Sequence, residues 1–341
     1  MTAPLVSVIV PVWNTVRFLP ACLDSLVSQT LRDIEIICVN DASTDASLQV
    51  LGRYAAEDPR IRVFSHERNL GPGAARNRGI DLARGNYIGF VDSDDLISPD
   101  FYQNLYQGAL IHNTDITITC CTVYDDSTAP AVFGNSQNVI AELKQRWVHN
   151  VRGMARAFGA AWHENRDFSG QRAALSAFPS VVDKLYRRSL FDEVRFPEGV
   201  LFEDMLFMPQ VMFHASRVFS CPGGEYYYRR NKASITRRKD FRALLEKLVV
   251  AGMLDQWVGQ QEMGRAERSQ YEALVGRKYR QAIKSLVKKT LIWTPGRVQG
   301  VKEHAPDEIF RFFFKRLAAK FLMPPVILLL LASVVKIFMV K

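Results

Sequence analysis

In the first 125 residues, short apolar runs alternate with stretches of helical periodicity, and this alternation constrains the fold more than any other feature. Chains of this pattern fold into a mostly parallel sheet flanked by helices. The predicted strands are Val6–Val10, Glu35–Asn40, Ile61–Phe64, Tyr87–Val91 and Asp115–Tyr124. The predicted helices are Phe18–Gln29, Ser43–Ala56, Ala74–Ala83 and one that begins with Ser98 as N-cap and Pro99 at the first helical position. We therefore expect an α/β fold.

Polar residues follow three of these strands. Pro11, Val12 and Asn14 come after the first strand, Asp41 after the second and Asp92 to Asp95 after the fourth. Because ligands collect at the carboxyl ends of parallel strands, we expect the three segments to face one ligand. No G-x-G-x-x-G run follows the first strand and the sequence has no GK[ST] run, so dinucleotide oxidoreductases and P-loop NTPases lose their main support.

Three carboxylates lie within four positions, at Asp92, Asp94 and Asp95. They repel one another, and a divalent cation is a natural counter-charge. Mg²⁺ and Mn²⁺ prefer carboxylate oxygens and complete their coordination with water and substrate phosphates. The alternative is a loop that precedes a helix and carries spare acids.

Size and cysteine content restrict the class of protein. A chain of 341 residues with 48% hydrophobic residues can bury a sizeable core, which excludes a disordered or fibrous protein. The five cysteines are odd in number and form no CxxC pair, which favours a reducing compartment and buried thiols. The N-terminus has no signal-peptide pattern, so we expect the bulk of the chain in the cytosol.

Charge is distributed unevenly along the chain. Residues 1–228 carry 20 lysines and arginines against 26 acidic residues, whereas residues 229–341 carry 24 against 9. A basic half indicates either an anionic partner, nucleic acid or anionic lipid, or a solvated helical surface. Residues 309–317 mix aromatic and basic side chains, and Phe321–Val335 is free of charge, which favours a membrane surface and no nucleic acid. The apolar run is short for a span and contains Pro324-Pro325, so spanning and interfacial attachment both remain open.

Two blocks of motifs are similar to those of family 2 glycosyltransferases. The first block contains Pro11-Val12-Trp13-Asn14, then Val39-Asn40-Asp41-Ala42-Ser43, then Asn69-Leu70-Gly71-Pro72-Gly73-Ala74-Ala75-Arg76 and then Val91-Asp92-Ser93-Asp94-Asp95. The second contains Asp183-Lys184-Leu185-Tyr186, Phe196-Pro197-Glu198-Gly199, Glu203-Asp204 and Tyr226-Tyr227-Tyr228-Arg229. The resemblance spans about residues 5–236. It implies a GT-A fold, a Rossmann-like and mostly parallel sheet flanked by helices, a nucleotide-sugar donor and inversion at the anomeric carbon.

The resemblance also implies roles for individual residues. The donor-binding residues are Pro11, Val12, Asn14, Asp41, Arg76, Asp92, Ser93 and Arg229, among which Asp41 accepts a hydrogen bond from the base. Asp94, with Asp92, holds Mn²⁺ or Mg²⁺. Asp204 is the general base, with Glu203 as the fallback. Two structural alternatives stay open: Asp41 forms an Asx-turn that caps the helix at Ser43, and the Glu203-Asp204 pair merely opens the helix Met205–His214.

The expected organisation is a GT-A domain at 1–236, a helical basic extension at 237–308 and a membrane-association segment at 309–341. Within the domain, residues 1–125 bind the nucleotide-sugar and residues 126–236 carry the acceptor and catalytic part. The expected function is transfer of a sugar from a nucleotide-sugar, most often a UDP-sugar, to a saccharide or lipid-linked acceptor in bacterial surface polysaccharide synthesis. The expected location is the cytoplasmic face of the inner or plasma membrane, through peripheral contact or one C-terminal anchor. An inactive nucleotide-sugar-binding protein and a sugar nucleotidyltransferase remain as alternatives.

Overall fold

The computed structural model describes residues 3–125, 166–167, 180–230 and 241–290. The chain divides into two compact units. The first unit contains Met1–Glu198 and Phe207–Arg237, and the second contains Gly199–Leu206 and Arg238–Lys341.

The described elements alternate between strand and helix in the N-terminal part of the chain. In chain order they are β1 (Val6–Val12), α1 (Leu19–Val27), β2 (Ile34–Asn40), α2 (Ser47–Glu57), β3 (Ile61–Ser65), α3 (Pro72–Leu82), β4 (Tyr87–Phe90), β5 (Leu96–Ile97), α4 (Phe101–His112), β6 (Ile116–Asp125), β7 (Arg166–Asp167), β8 (Lys184–Arg187), α5 (Leu190–Glu193), α6 (Asp204–His214), β9 (Val218–Arg230), α7 (Phe241–Gln260) and α8 (Arg265–Thr290).

One sheet organises the first unit, in the strand order β3-β2-β1-β4-β8-β6-β9-β5, with β7 paired to β9. Strands β3, β2, β1 and β4 are mutually parallel, as the sequence predicted. Strand β8 is antiparallel to both β4 and β6, and β5 is antiparallel to β9. The C-terminal part of the sheet is therefore mixed.

The three inner parallel strands, β1, β2 and β4, are buried on both faces. Every residue of β2 is buried, as is every residue of β1 except Pro11. This explains why these strands appear in the sequence as continuous apolar runs rather than as alternating patterns. Helix α1 buries Leu19, Cys22, Leu23 and Leu26, which recur at helical spacing on one face.

The cysteines whose side chains are described are reduced, and three of the four are buried. Burial raises the pKa of the Cys38 thiol to about 12, so this thiol stays protonated at neutral pH. These cysteines act as small apolar side chains, in agreement with the sequence.

Two predicted helix starts are wrong. Helix α4 begins at Phe101 with Asp100 as N-cap, and Ser98 does not cap it. Ser98 is instead held by β9, since its N–H donates to the Glu225 carbonyl and its Oγ accepts from the Glu225 N–H, both at 2.9 Å. Helix α2 begins at Ser47 rather than Ser43, because hydrogen bonds from the loop after β1 hold the intervening backbone.

A bulge in β9 determines which residues face β5. The register of β6 against β9 shifts between Ile118 and Cys120, where β9 carries Gly223 and Gly224 with φ of +94° and +71°. Thr119 Oγ1 donates to the carbonyls of both glycines, at 2.9 and 2.7 Å. A Cβ on Gly224 would lie 2.9 Å from the Phe101 Cα, so a side chain does not fit there. After the bulge, Tyr226 and Tyr227 of β9 pair with Ile97 and Leu96 of β5.

In the second unit, α7 and α8 pack against each other through buried apolar side chains, among them Leu254, Tyr271 and Leu274. No helix in the part of the chain that the structure describes is long and apolar enough to cross a membrane. The predicted membrane-association segment at 309–341 lies outside the described residues.

Candidate donor site

The ends of β2, β1 and β4 lie side by side at one edge of the sheet. The loops that follow them are joined by hydrogen bonds. Asn14 Oδ1 accepts from the Thr44 N–H at 2.7 Å, and Thr15 Oγ1 donates to Ser93 Oγ at 3.0 Å. The three polar segments therefore form one surface, as their positions after parallel strands predicted.

Asn14 connects the loops after β1 and β2. It has a positive φ of 53°, and its Oδ1 accepts from the N–H groups of Thr44 and Asp45. Asp45 in turn accepts from Ser47 and from the Val16 N–H. Burial disfavours the Asp45 carboxylate, but these hydrogen bonds prevail and lower its pKa. The described contacts of Asn14 thus position the loops.

Pro11 and Val12 are the last residues of β1 rather than part of the loop. Val12 is fully buried in the core, and its carbonyl accepts from the Asp41 N–H at 2.8 Å. Trp13 follows and is 46% exposed. Trp13 is not among the predicted donor-binding residues, although an aromatic residue in a polar segment at a strand end is a signal for a ligand contact.

Asp41 organises the loop that leads into α3. Its carboxylate is nearly buried, its Oδ1 accepts from the Leu70 N–H at 2.9 Å, and its Oδ2 accepts from the Gly71 N–H at 2.8 Å. His66 Nδ1 lies 2.7 Å from Asp41 Oδ1. Gly71 has a φ of +91°, which favours glycine at this position. A carboxylate has about four acceptor sites, so Asp41 retains capacity for a ligand N–H.

The side chain that bonds to the backbone after β2 is Asn40, not Asp41. Asn40 Oδ1 accepts from the Ser43 N–H at 3.2 Å, whereas the Asp41 side chain bonds to the loop before α3. The alternative in which Asp41 caps the second helix is therefore wrong.

The acidic loop after β4 separates its carboxylates. Asp92 accepts from Arg76 NH2 at 2.8 Å and keeps 31% of its side chain exposed. Asp95 is fully buried and accepts from the Tyr226 hydroxyl and from the Arg229 N–H, both at 2.7 Å. Burial, followed by the charges of Asp94 and Asp92, raises the pKa of Asp95 well above its usual range.

Two arginines supply positive charge at this loop. The Arg76 side chain is 6% exposed and its guanidinium lies 5.3 Å from the Phe196 ring centroid. Arg229 is 5% exposed, donates from Nε to the Asp94 carbonyl at 2.7 Å and lies between the rings of Phe18 and Tyr124. These arginines thus offset part of the repulsion among the carboxylates, for which a divalent cation was the predicted counter-charge.

Asp92 and Asp94 are the predicted metal ligands of this loop. Among the described residues, no three His, Cys, Asp or Glu side chains form a group that could hold a metal ion. Asp92 and Asp94 nevertheless present partly exposed carboxylates two positions apart. Mg²⁺ is commonly held by one or two carboxylates plus substrate phosphates, and this pair fits that arrangement.

Glu203 and Asp204 belong to the second unit. Asp204 is partly exposed and is the first residue of α6, which is the position that the helix-opening alternative expects. Lys278 of the same unit is 6% exposed; burial lowers its pKa, and the negative charge of Asp204 opposes that shift. The general-base role of Asp204 stays a prediction.

Comparison with known proteins identifies the family. The model of glycosyl transferase family 2 matches residues 7–194. The chain is 33% identical over 235 residues to the glycosyltransferase GlyG of Streptococcus pneumoniae serotype 4, covering 68% of this chain and 73% of GlyG. It is 39% identical over 236 residues to the uncharacterized glycosyltransferase EpsJ of Bacillus subtilis, covering 68% of this chain and 63% of EpsJ. It is 31% identical over 229 residues to the poly(ribitol-phosphate) beta-glucosyltransferase of Bacillus spizizenii, covering 65% of this chain and 32% of that enzyme.

Solved structures share the fold. TarS 1–349 of S. aureus, in complex with UDP-GlcNAc, superposes with a TM-score of 0.61 at 20% identity, covering 92% of this chain and 79% of TarS 1–349. The mannosyltransferase PcManGT of Pyrobaculum calidifontis, in complex with GDP-Man and Mn²⁺, gives 0.56 at 15% identity, covering 99% and 82% of the two chains. They show an α/β, GT-A-like fold with a mostly parallel sheet and flanking helices. This chain is therefore a glycosyltransferase that belongs to glycosyl transferase family 2.

Proposed function

We propose that the chain transfers a sugar from a nucleoside-diphospho-sugar, with UDP as the nucleotide, to a hydroxyl of a saccharide or lipid-linked acceptor. The observation that carries the proposal is the convergence of Asp41, of the arginines Arg76 and Arg229, and of the pair Asp92 and Asp94 at one edge of the sheet. These groups suit a base, a diphosphate and a cation respectively. TarS 1–349, which shares the fold, is known in complex with UDP-GlcNAc.

The nucleoside binds beside β1 and β2. Trp13 offers an exposed aromatic face on which a base can stack. Two backbone groups hold Asp41 in place: the Val12 carbonyl accepts from its N–H, and the Leu70 N–H donates to its Oδ1. The Asp41 carboxylate is therefore fixed before the ligand arrives. A fixed acceptor favours a base with a ring N–H, such as uracil, because the hydrogen bond forms without reordering the loop.

The diphosphate binds beside β4, where Arg76 and Arg229 supply two nearly buried cations. Asp92 and Asp94 would hold Mn²⁺ or Mg²⁺ there, and the ion, when bound, stabilises the negative charge of the departing nucleoside diphosphate. PcManGT, which shares the fold, is known in complex with Mn²⁺. The chain's own arginines orient the diphosphate so that the bond to the sugar points away from the nucleoside.

Asp204 takes the proton from the acceptor hydroxyl as that oxygen attacks the anomeric carbon, and Glu203 is the fallback. Attack opposite the leaving group in one displacement inverts the anomeric carbon. The acceptor is a surface polysaccharide or its lipid-linked precursor, in keeping with the relative named as a poly(ribitol-phosphate) beta-glucosyltransferase. Residues 309–341 attach the enzyme to the cytoplasmic face of an anionic membrane.

Calorimetric titration with UDP and Mn²⁺ tests this proposal. We expect wild type to bind UDP more tightly with Mn²⁺ than without it, and Asp94→Ala to lose the metal-dependent part. Asp81→Ala is the matched control, because Asp81 is a surface carboxylate, 54% exposed, outside the acidic loop. Unchanged metal dependence in Asp94→Ala would remove Asp94 from the proposed site.

A further inference from the structure

A buried carboxylate at the start of β8 has one oxygen whose hydrogen-bonding capacity the described structure does not use. Asp183 is fully buried, and its Oδ1 accepts from Lys184 Nζ at 2.5 Å and from Ser180 Oγ at 3.0 Å. Its Oδ2 is also buried, and none of the described residues donates a hydrogen bond to it. Buried polar atoms almost always have partners, so this oxygen calls for a physical explanation.

The cation of this ion pair donates two hydrogen bonds. Lys184 Nζ donates to Asp183 Oδ1 and, at 2.7 Å, to the Ser180 carbonyl. The side chains of Lys184 and Asp183 are 4% and 0% exposed, respectively. The hydrogen bonds from Lys184 and Ser180 thus engage Oδ1 and leave Oδ2 unused. Oδ2 therefore has the capacity to accept a further hydrogen bond.

The position of Asp183 relates it to the donor site. Strand β8 is antiparallel to β4, with Leu185 opposite Gly89, so the start of β8 lies at the same edge as the carboxyl end of β4. Burial raises the pKa of Tyr186, and the charges of Asp183 and Arg76 shift it in opposite directions. Both groups therefore lie near Tyr186, and Arg76 bonds to Asp92. The start of β8 and the loop that carries Asp92 thus lie at the same edge of the sheet.

Sheet order gives the direction in which the donor extends. The strands run β2-β1-β4-β8, with Asp41 after β2, Asp92 after β4 and Asp183 before β8. Under the proposed function, the base lies at Asp41 and the diphosphate at Asp92, so the sugar continues towards β8. We propose that Asp183 Oδ2 accepts a hydrogen bond from a hydroxyl of the donor sugar and selects hexoses that carry this hydroxyl. This inference rests on the proposed function.

Selection follows from the cost of leaving the oxygen unpaired. A site built to bond a substrate hydroxyl rejects the analogue that lacks it, because the buried acceptor then has no donor. Asp183 has no exposed surface, so the sugar reaches it only when covering side chains move. Asp183 is thus a specificity-determining residue in this account.

The test compares UDP, the best-bound UDP-hexose and its singly deoxygenated analogues by calorimetry on the full chain. In wild type, we expect one deoxy analogue to bind about 10- to 100-fold more weakly than the parent, the range for a hydrogen bond to a charged group. In Asp183→Asn combined with Lys184→Met, which removes both charges of the pair, that difference should fall to about twofold or less while UDP affinity is retained. Ser180→Ala is the matched control, because it removes a donor to Oδ1 only.

The outcomes separate the two proposals. If no deoxy analogue loses affinity in wild type, or if the double variant keeps the full discrimination, Asp183 Oδ2 is served by buried water and the inference fails. If wild type binds neither UDP nor any UDP-sugar, the proposed function fails first. Should the double variant lack a cooperative melting transition, Asp183→Asn alone, which preserves the side-chain shape, replaces it in the same comparison.

Discussion

The three carboxylates after β4 have different environments although they are close in sequence. Asp95 is buried and bonds to Tyr226 and to the Arg229 backbone, and Asp92 pairs with Arg76. Asp94 is partly buried, and its own carbonyl accepts from Arg229. Asp95 therefore fixes the shape of the loop, whereas Asp92 and Asp94 remain the carboxylates that can meet a ligand.

Replacing the proposed base should separate donor binding from transfer. We expect Asp204→Asn to bind UDP and Mn²⁺ as wild type does but to lower turnover by about two to four orders of magnitude, the range for loss of a general base. Calorimetry measures the first quantity and steady-state transfer the second. Glu203→Gln is the comparison at the fallback position. If Asp204→Asn turns over as fast as wild type, Asp204 is not the general base and only begins helix α6.

At the scale of elements, α3 must pack closely on β1 to bring Arg76 to the acidic loop. A Cβ built on Gly79 in α3 lies 2.3 Å from Ile9 Cγ2, so Gly79→Ala should lower the free energy of unfolding by about 1–3 kcal/mol. Gly52 in α2 has no atom within 4 Å of such a Cβ, so Gly52→Ala should raise it by up to about 1 kcal/mol. Denaturant unfolding of the two variants measures both changes, and equal changes would contradict this packing.

The parallel half of the sheet could be predicted because its strands are apolar runs separated by helical periodicity. The position of Asp41 and the acidic loop at one edge followed from strand direction alone. The partners of Asp95 could not be predicted, because Tyr226 and Arg229 lie more than 130 residues away and reach it through the β5–β9 pairing. A two-residue strand and a bulge carry too little local pattern to reveal that pairing.

The environment of Asp183 could not be predicted from the sequence either. The sequence placed it in a motif, but its unused oxygen becomes visible only once β8 is seen to insert antiparallel beside β4. Likewise, the sequence could not show that Arg76 and Arg229 offset the acidic loop, since hydrogen bonds between distant elements decide that.

At the scale of the whole molecule, the uneven charge predicts membrane attachment through the C-terminal segment. Residues 229–341 carry 24 basic against 9 acidic residues, and headgroup attraction contributes about 1 kcal/mol per well-placed cation. We expect the full chain to float with anionic liposomes and a chain that ends at residue 308 to remain behind while still binding UDP. Neutral liposomes provide the control. Equal flotation of the two chains, or no flotation of the full chain, would remove the segment from the proposal.

The product released from a nucleotide-sugar distinguishes sugar transfer from sugar-nucleotide synthesis. A family 2 glycosyltransferase with the proposed donor site should release UDP from at least one UDP-sugar in the presence of Mn²⁺, through transfer or slow hydrolysis, and Asp94→Ala should not. A sugar nucleotidyltransferase would instead release pyrophosphate from a nucleoside triphosphate and a sugar phosphate. We expect wild type to release UDP and Asp94→Ala to release none. Release of pyrophosphate by wild type, or no product from any nucleotide-sugar, would show that the proposed function is wrong.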